Sequence, residues 1–231
     1  MTGAALRSSA SLADLDRIPR TRDEALAVAA SFEDSTVLTG VDASEPALDR
    51  LAEDDALARY SIVHFATHAL VDDVVPRRSG IALSQVGLPD PFEAAMRGRR
   101  PDDGFLTVAE IASRWRLEAN LVTLSGCRSA LGRSIRGEGH VGLTTAFLQA
   151  GAQSVLASLW DVQDEPTMLF MRSFYRHWTA ESRIDGATRE RAKVEALRRA
   201  RRDVREHEVD GVRPYAHPAF WAAFVLIGAP D

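Results

Sequence analysis

The sequence predicts an α/β fold built around a mainly parallel sheet, and three observations predict it. Short apolar runs of β-type composition alternate with helical segments along the chain. The strongest of these runs, SIVHFA, LVTLSG and SVLASLW, are largely apolar rather than alternating, as expected of strands covered on both faces. A chain of 231 residues, 45% hydrophobic and 26% charged, is long and apolar enough for one domain with a sizeable core.

Residues 1–18 are small and polar and read as a flexible leader, with the domain occupying 19–231. From Thr21, TRDEALAVAASF repeats apolar residues at helical spacing, and Asp23 and Glu24 suit a first turn. TVLTG, residues 36–40, reads as a short strand closed by glycine. ASEPALDRLAEDDALARY follows as a helix with Ser44 as N-cap and Leu48, Leu51 and Leu57 as its apolar stripe. Strands are expected over 61–66 and 80–84, separated from Phe105-Leu106 by a Pro-, Gly- and Arg-rich loop. Thr107 and Glu110 form a capping box for the next helix. LVTLSG is a strand that runs straight into Cys127, RSALGRSIRGEGH a glycine-punctuated loop, and VGLTTAFLQAGA a helix ending at Gly151. After the strand SVLASLW comes a helix with Asp164 as N-cap. An arginine- and glutamate-rich helix over 185–206 follows, its apolar face carrying Val194, Leu197 and Val204, and then a last strand near 223–227. Phe220, Trp221 and Phe224 read as core aromatics.

Sites in open α/β sheets form at the carboxyl ends of strands. That rule selects His68 after SIVHFAT, Cys127 after LVTLSG and Asp161 after SVLASLW. A thiol needs a polar or cationic setting to become a nucleophile, and an imidazole can take and return its proton. Gly126 allows a tight turn that leaves the Cys127 amide as one oxyanion donor, with the Ala69 amide as the second. His64, in mid-run, reads as a packed core histidine, and His140 as a surface or capping residue. Asp72 and Asp73 lack further ligands at metal-type spacing, so neither metal nor cofactor is expected.

A net charge of -5 provides no global field for nucleic acid or anionic membrane. No apolar run reaches the roughly 18 residues of a membrane span, and the N-terminus has no signal-peptide core. A single cysteine suits a reducing compartment, so the cytoplasm is the expected location.

The stretches IVHFATHA, GIALS, DGFLTVAEIA, LVTLSGCRSALG, GEGHVGLTTAFLQAGAQSVLASLWDVQDEPTMLFMRSFYRHW and AHPAFWAAFVLIG stand in an order that resembles the CHAT family of caspase- and separase-like peptidases. They span most of 61–228, with a weaker match in PRTRDEALAVAASF. The resemblance implies a caspase-like three-layer α/β/α fold and a catalytic His68–Cys127 dyad. WDVQD is similar to a separase segment that receives a basic side chain, which makes Asp161 and Asp164 candidates for reading Arg or Lys. The chain departs from the family where Ala69 replaces the usual glycine and SGCRS replaces SACET. The family's first core strand also has no convincing counterpart in residues 1–18.

These readings converge on a cysteine endopeptidase that cleaves a protein or peptide substrate after a basic residue, under the control of a regulatory partner or sensor domain. The loop at 85–104, with Arg97, Arg99 and Arg100, is a candidate self-cleavage or gating segment. Two alternatives stay open: a catalytically silent caspase-like protein-interaction module, and a thiol acyl hydrolase for small molecules.

Overall fold

The computed structural model describes residues 15–72, 75–88, 90–98, 101–126, 133–135, 139–182 and 189–229. In chain order these build α1 (Arg20–Ala29), α2 (Glu45–Glu53), β1 (Ile62–Phe65), β2 (Ala69–Leu70), β3 (Gly80–Ala82), α3 (Pro91–Met96), β4 (Phe105–Thr107), α4 (Val108–Arg114), β5 (Leu121–Leu124), β6 (Arg133–Ile135), β7 (Gly139–Val141), α5 (Leu143–Ala150), β8 (Ser154–Ser158), α6 (Asp164–Glu181), α7 (Arg189–Arg205) and β9 (Phe224–Gly228). The central sheet runs β1-β5-β8-β9, with β1, β5 and β8 parallel and β9 antiparallel to β8. A second sheet, β2-β3-β4, is antiparallel, and β6 pairs with β7.

Side-chain alternation along the parallel strands divides the core into two layers. Val122, Leu124, Val155 and Ala157 pack with Leu48, Ile111, Trp115 and Phe147 from α2, α4, α5 and the residue after α4. Leu121 and Leu156 pack on the other face with Val28, Phe174, Tyr175 and Ala196 from α1, α6 and α7. The result is the expected α/β arrangement, a mainly parallel sheet with helices on both sides.

Local sequence explains the boundaries of several elements. Thr107 and Glu110 close the capping box of α4 reciprocally. Gly151 ends α5 with φ +116°, a conformation that L side chains rarely adopt. Helix α7 buries Ala192, Ala196, Ala200 and Val204, each four residues from the last. These small side chains form the contact stripe, whereas Val194, expected on that face, is 49% exposed. Lys193 is buried and donates to the Asn120 carbonyl and the Ser154 hydroxyl.

Other expectations are corrected. Residues 36–39 lie outside any strand, and Gly40 instead opens a 3-10 turn with φ +57°. Ser44 holds the N-cap position of α2 without a side-chain capping bond. The loop over 85–103 contains α3, because Asp90 accepts hydrogen bonds from the Phe92 and Glu93 amides and so caps a helix. The N-cap of α6 is Gln163, with Asp164 the first helical residue. Part of the loop expected between Cys127 and α5 is the β6–β7 pair. Of the three C-terminal aromatics, Phe224 is fully buried, while Phe220 and Trp221 pack at the margin of the core. Among the described residues, no helix is long and apolar enough to cross a membrane.

A buried polar chain crosses the α1–sheet–α6 layer. His64 contacts Glu24 through Nε2 at 2.8 Å and the Tyr175 hydroxyl through Nδ1 at 3.1 Å, and that hydroxyl meets Thr123 Oγ1 at 2.6 Å. His64 is therefore the hydrogen-bonded core histidine that its position in the strand suggested. Burial raises the Tyr175 hydroxyl pKa and keeps it neutral. Tyr175→Phe deprives two buried groups of a partner and is expected to cost about 1–3 kcal/mol in urea denaturation. Unchanged stability would show that the chain contributes nothing to the fold.

Candidate active site

Parallel pairing of β1 with β5, and of β5 with β8, brings three strand ends onto one rim. Gly126, two residues past β5, packs against the backbone on either side of His68. A Cβ at Gly126 would lie 2.5 Å from the Thr67 carbonyl oxygen and 3.1 Å from the Ala69 nitrogen. Only glycine permits that approach without displacing backbone. Ser158, the last residue of β8, donates its hydroxyl to the Gly126 carbonyl at 2.5 Å. The residue that precedes Cys127 is thus fixed against the segment that carries His68 and tied to the third strand end. Cys127 itself lies outside the described residues.

His68 is half-buried, and its Nε2 stands 2.7 Å from the Asp16 carbonyl oxygen. A carbonyl only accepts, so Nε2 carries a proton. In the neutral ring this leaves Nδ1 with the lone pair, as a base requires. The His68 carbonyl accepts from the Ala82 amide at 2.9 Å, and the Thr67 hydroxyl donates to the Ala82 carbonyl at 2.8 Å. The antiparallel sheet therefore braces the turn that holds the imidazole. By the same ladder geometry the Ala69 N–H points away from β3, with Gly126 beside it. A groove of about 1030 Å³ is lined by Ile62 and His64 of β1, by His68, and by Asp16, Ile18 and Leu38.

The other expected site residues fall in different places. Asp161 is exposed, three residues beyond Ser158 on the same rim. Asp164 accepts the Arg20 amide through Oδ2 at 3.0 Å, so one carboxylate oxygen fastens the start of α1 to the start of α6. His140 pairs with Ser134 in the β6–β7 register. Asp72 caps its own turn by accepting from the Val75 amide at 2.7 Å, and Asp73 lies outside the described residues. Arg97 meets Glu93 at 3.3 Å, and Arg99 and Arg100 lie outside the described residues. No group of three or more His, Cys, Asp or Glu among the described residues could hold a metal ion.

Sequence reasoning missed two features near this rim. Asp16 acts through its backbone carbonyl, which every residue type has, so no residue pattern could mark it. The second is the near-complete burial of two carboxyl groups, Glu45 at the start of α2 and Glu110 in the capping box of α4. Burial, with the charge and hydrogen bond of Glu110, pushes the Glu45 carboxyl up to about 7 against the opposing pull of the Asp103 and Gly104 amides.

A parallel sheet between two helical layers, with a histidine-bearing strand end packed on the residue before a cysteine, defines a caspase-like α/β domain. The family model described as the CHAT domain matches residues 4–229, and the chain belongs to that family, which is related to caspase-like peptidases. Over 196 residues it is 32% identical to tetratricopeptide repeat protein 28 of Mus musculus and 30% identical to that of Homo sapiens. Each match covers 75% of this chain but only 7% of the relative's length.

Gly126→Ala is expected to force Thr67 and Ala69 away and to cost about 1–3 kcal/mol. The measurement is chemical denaturation, together with the His68 imidazole NMR signal. An unshifted imidazole and unchanged stability would rule out the close packing.

Proposed function

We propose that this domain is a cysteine endopeptidase that cleaves a protein substrate after a basic residue. The observation that carries the reading is the seat of Gly126 against the Thr67–Ala69 backbone, which holds the residue before the only cysteine beside the imidazole-bearing turn. In this mechanism His68 Nδ1 takes the Cys127 thiol proton as Sγ attacks the scissile carbonyl carbon. The amides of Ala69 and Cys127 stabilise the oxyanion, and His68 returns the proton to the leaving amine as the C–N bond breaks. Water, deprotonated by His68, then attacks the thioester; the acid leaves and the thiol is restored. The Asp16 carbonyl keeps the proton on Nε2 throughout.

Asp161 is the better placed of the two carboxylates to meet a basic side chain, because it is exposed while Asp164 is engaged by α1. A regulatory partner or sensor domain fits a chain that corresponds to 7% of the length of its relatives. The names of those relatives favour a second reading: a module within a tetratricopeptide repeat protein can serve binding alone, without turnover.

Wild type, Cys127→Ala and His68→Ala, assayed on an arginine-terminated peptide coumarin library, test the reading. It predicts turnover in wild type alone, and covalent labelling of Cys127 by a basic acyloxymethyl ketone. Neither turnover nor labelling would leave the interaction module. Asp161→Asn is expected to lower kcat/KM for arginine substrates by about 10- to 100-fold, the equivalent of a lost charge-assisted hydrogen bond.

A further inference from the structure

β1 forms one edge of the central sheet: β5 pairs with one of its sides, and among the described residues no strand pairs with the other. The carbonyls of Ser61 and Phe65 accept amides from the β5 side, those of Asn120, Leu121 and Ser125. Alternation along the strand therefore turns the N–H and C=O of Ile62 and His64 to the open side. Among the described residues no hydrogen bond reaches those backbone groups. Natural edges are blunted by lysine, proline or a bulge, and IVHF carries neither lysine nor proline. β1 is also less covered than its neighbours: Ile62, Val63 and His64 stay partly exposed, whereas every residue of β5 and β8 is buried.

The groove of about 1030 Å³ lies at the level of the sheet. Its walls include Ile62 and His64 of β1, Ala25 of α1, Leu48 and Leu51 of α2, and Leu38. α1 and α2 belong to opposite helical layers, since Val28 packs in one core and Leu48 in the other. A cavity walled by both helices and by β1, but by no residue of β5, β8 or β9, occupies the place of the next strand in the sheet. Helices on both faces demand apolar side chains in both directions, the unbroken pattern of a buried strand. A helix in that place would leave the Ile62 and His64 backbone groups unsatisfied.

The chain has no spare run of that kind. SIVHFA, LVTLSG, SVLASLW and FVLIG supply β1, β5, β8 and β9, so a second folded copy cannot donate one without dismantling its own sheet. Residues 1–14 contain no apolar run longer than Ala4-Ala5-Leu6. In the tetratricopeptide repeat relatives the matching region is 7% of the chain, so polypeptide outside the domain is abundant there. We propose that the open edge of β1 accepts one extended strand, an unbroken apolar run of about five residues, from a partner polypeptide. Its main chain pairs with Ile62 and His64, and its side chains pack against α1 on one face and α2 on the other. The backbone groups it uses take no part in the proposed turnover, so the proposal stands apart from the peptidase reading.

The probe is the peptide Lys-Val-Ile-Val-Ala-Val-Lys, added to the full chain while amide hydrogen exchange at Ile62 and His64 is followed by NMR. Exchange at both amides is expected to slow by about tenfold or more at saturating peptide. Two isomers of the peptide, N-methylated at alternate residues in the two possible phases, keep the side chains and remove one row of main-chain donors each. One of them is expected to bind about tenfold more weakly than the parent, because its missing donors face β1. Unchanged exchange at both amides, or equal binding by the parent and both isomers, would overturn the proposal. Slow exchange before any peptide is added would overturn it too, because the edge is then already covered. If dilution restores fast exchange the cover is a second copy, and if deletion of residues 1–14 restores it the cover is that segment.

Discussion

Gly126 sits where any side chain would collide: its Cα packs on the Thr67 carbonyl and the Ala69 amide, and the parallel register of β1 with β5 delivers both segments to that meeting point. Sheet geometry supplies the approach and the missing Cβ permits it. The Ser158 hydroxyl then pins the Gly126 carbonyl from the end of the neighbouring strand. Geometry at such a rim is inherited from the buried strands. Val122, Leu124 and Val155 fix the register, and the register fixes which residues meet beyond the strand ends.

The imidazole is set by backbone groups more than by side chains. The Asp16 carbonyl settles which ring nitrogen carries the proton, and the hydrogen bonds of Ala82 hold the turn on which the ring is mounted. The small antiparallel sheet is in turn anchored to α2 and α4 by two carboxyl groups buried almost completely. A support built this way tolerates changes in many side chains while its geometry persists. Ala69 illustrates the point, because its N–H direction follows from the β2–β3 ladder whether or not the residue is glycine.

Much of the fold was legible in the sequence because buried parallel strands carry an unbroken apolar signal. SIVHFA, LVTLSG and SVLASLW were read as strands and are β1, β5 and β8. The capping box at Thr107 and the glycine stop at Gly151 were equally local. Failures came where structure depends on distant partners. TVLTG has β-type composition but pairs with no strand among the described residues, and α3 arises from an aspartate cap inside a loop-like composition. In the site, the strand-end rule singled out His68 and Asp161 but could not reveal that Asp164 is engaged by the amide of Arg20. The Asp16 carbonyl and the burial of Glu45 were invisible because neither lies in a recognisable pattern, while Glu110 was legible only as the capping-box residue of α4.

The most direct test of the central claim, that Cys127 and His68 work as a pair, is the pH dependence of Cys127 alkylation by iodoacetamide in wild type and His68→Ala. With one cysteine in the chain, the rate reports that thiol alone. The account predicts a wild-type thiol that titrates well below the ordinary value of about 8.5 and returns towards it when the imidazole is removed. Identical profiles near that ordinary value in both proteins would contradict it.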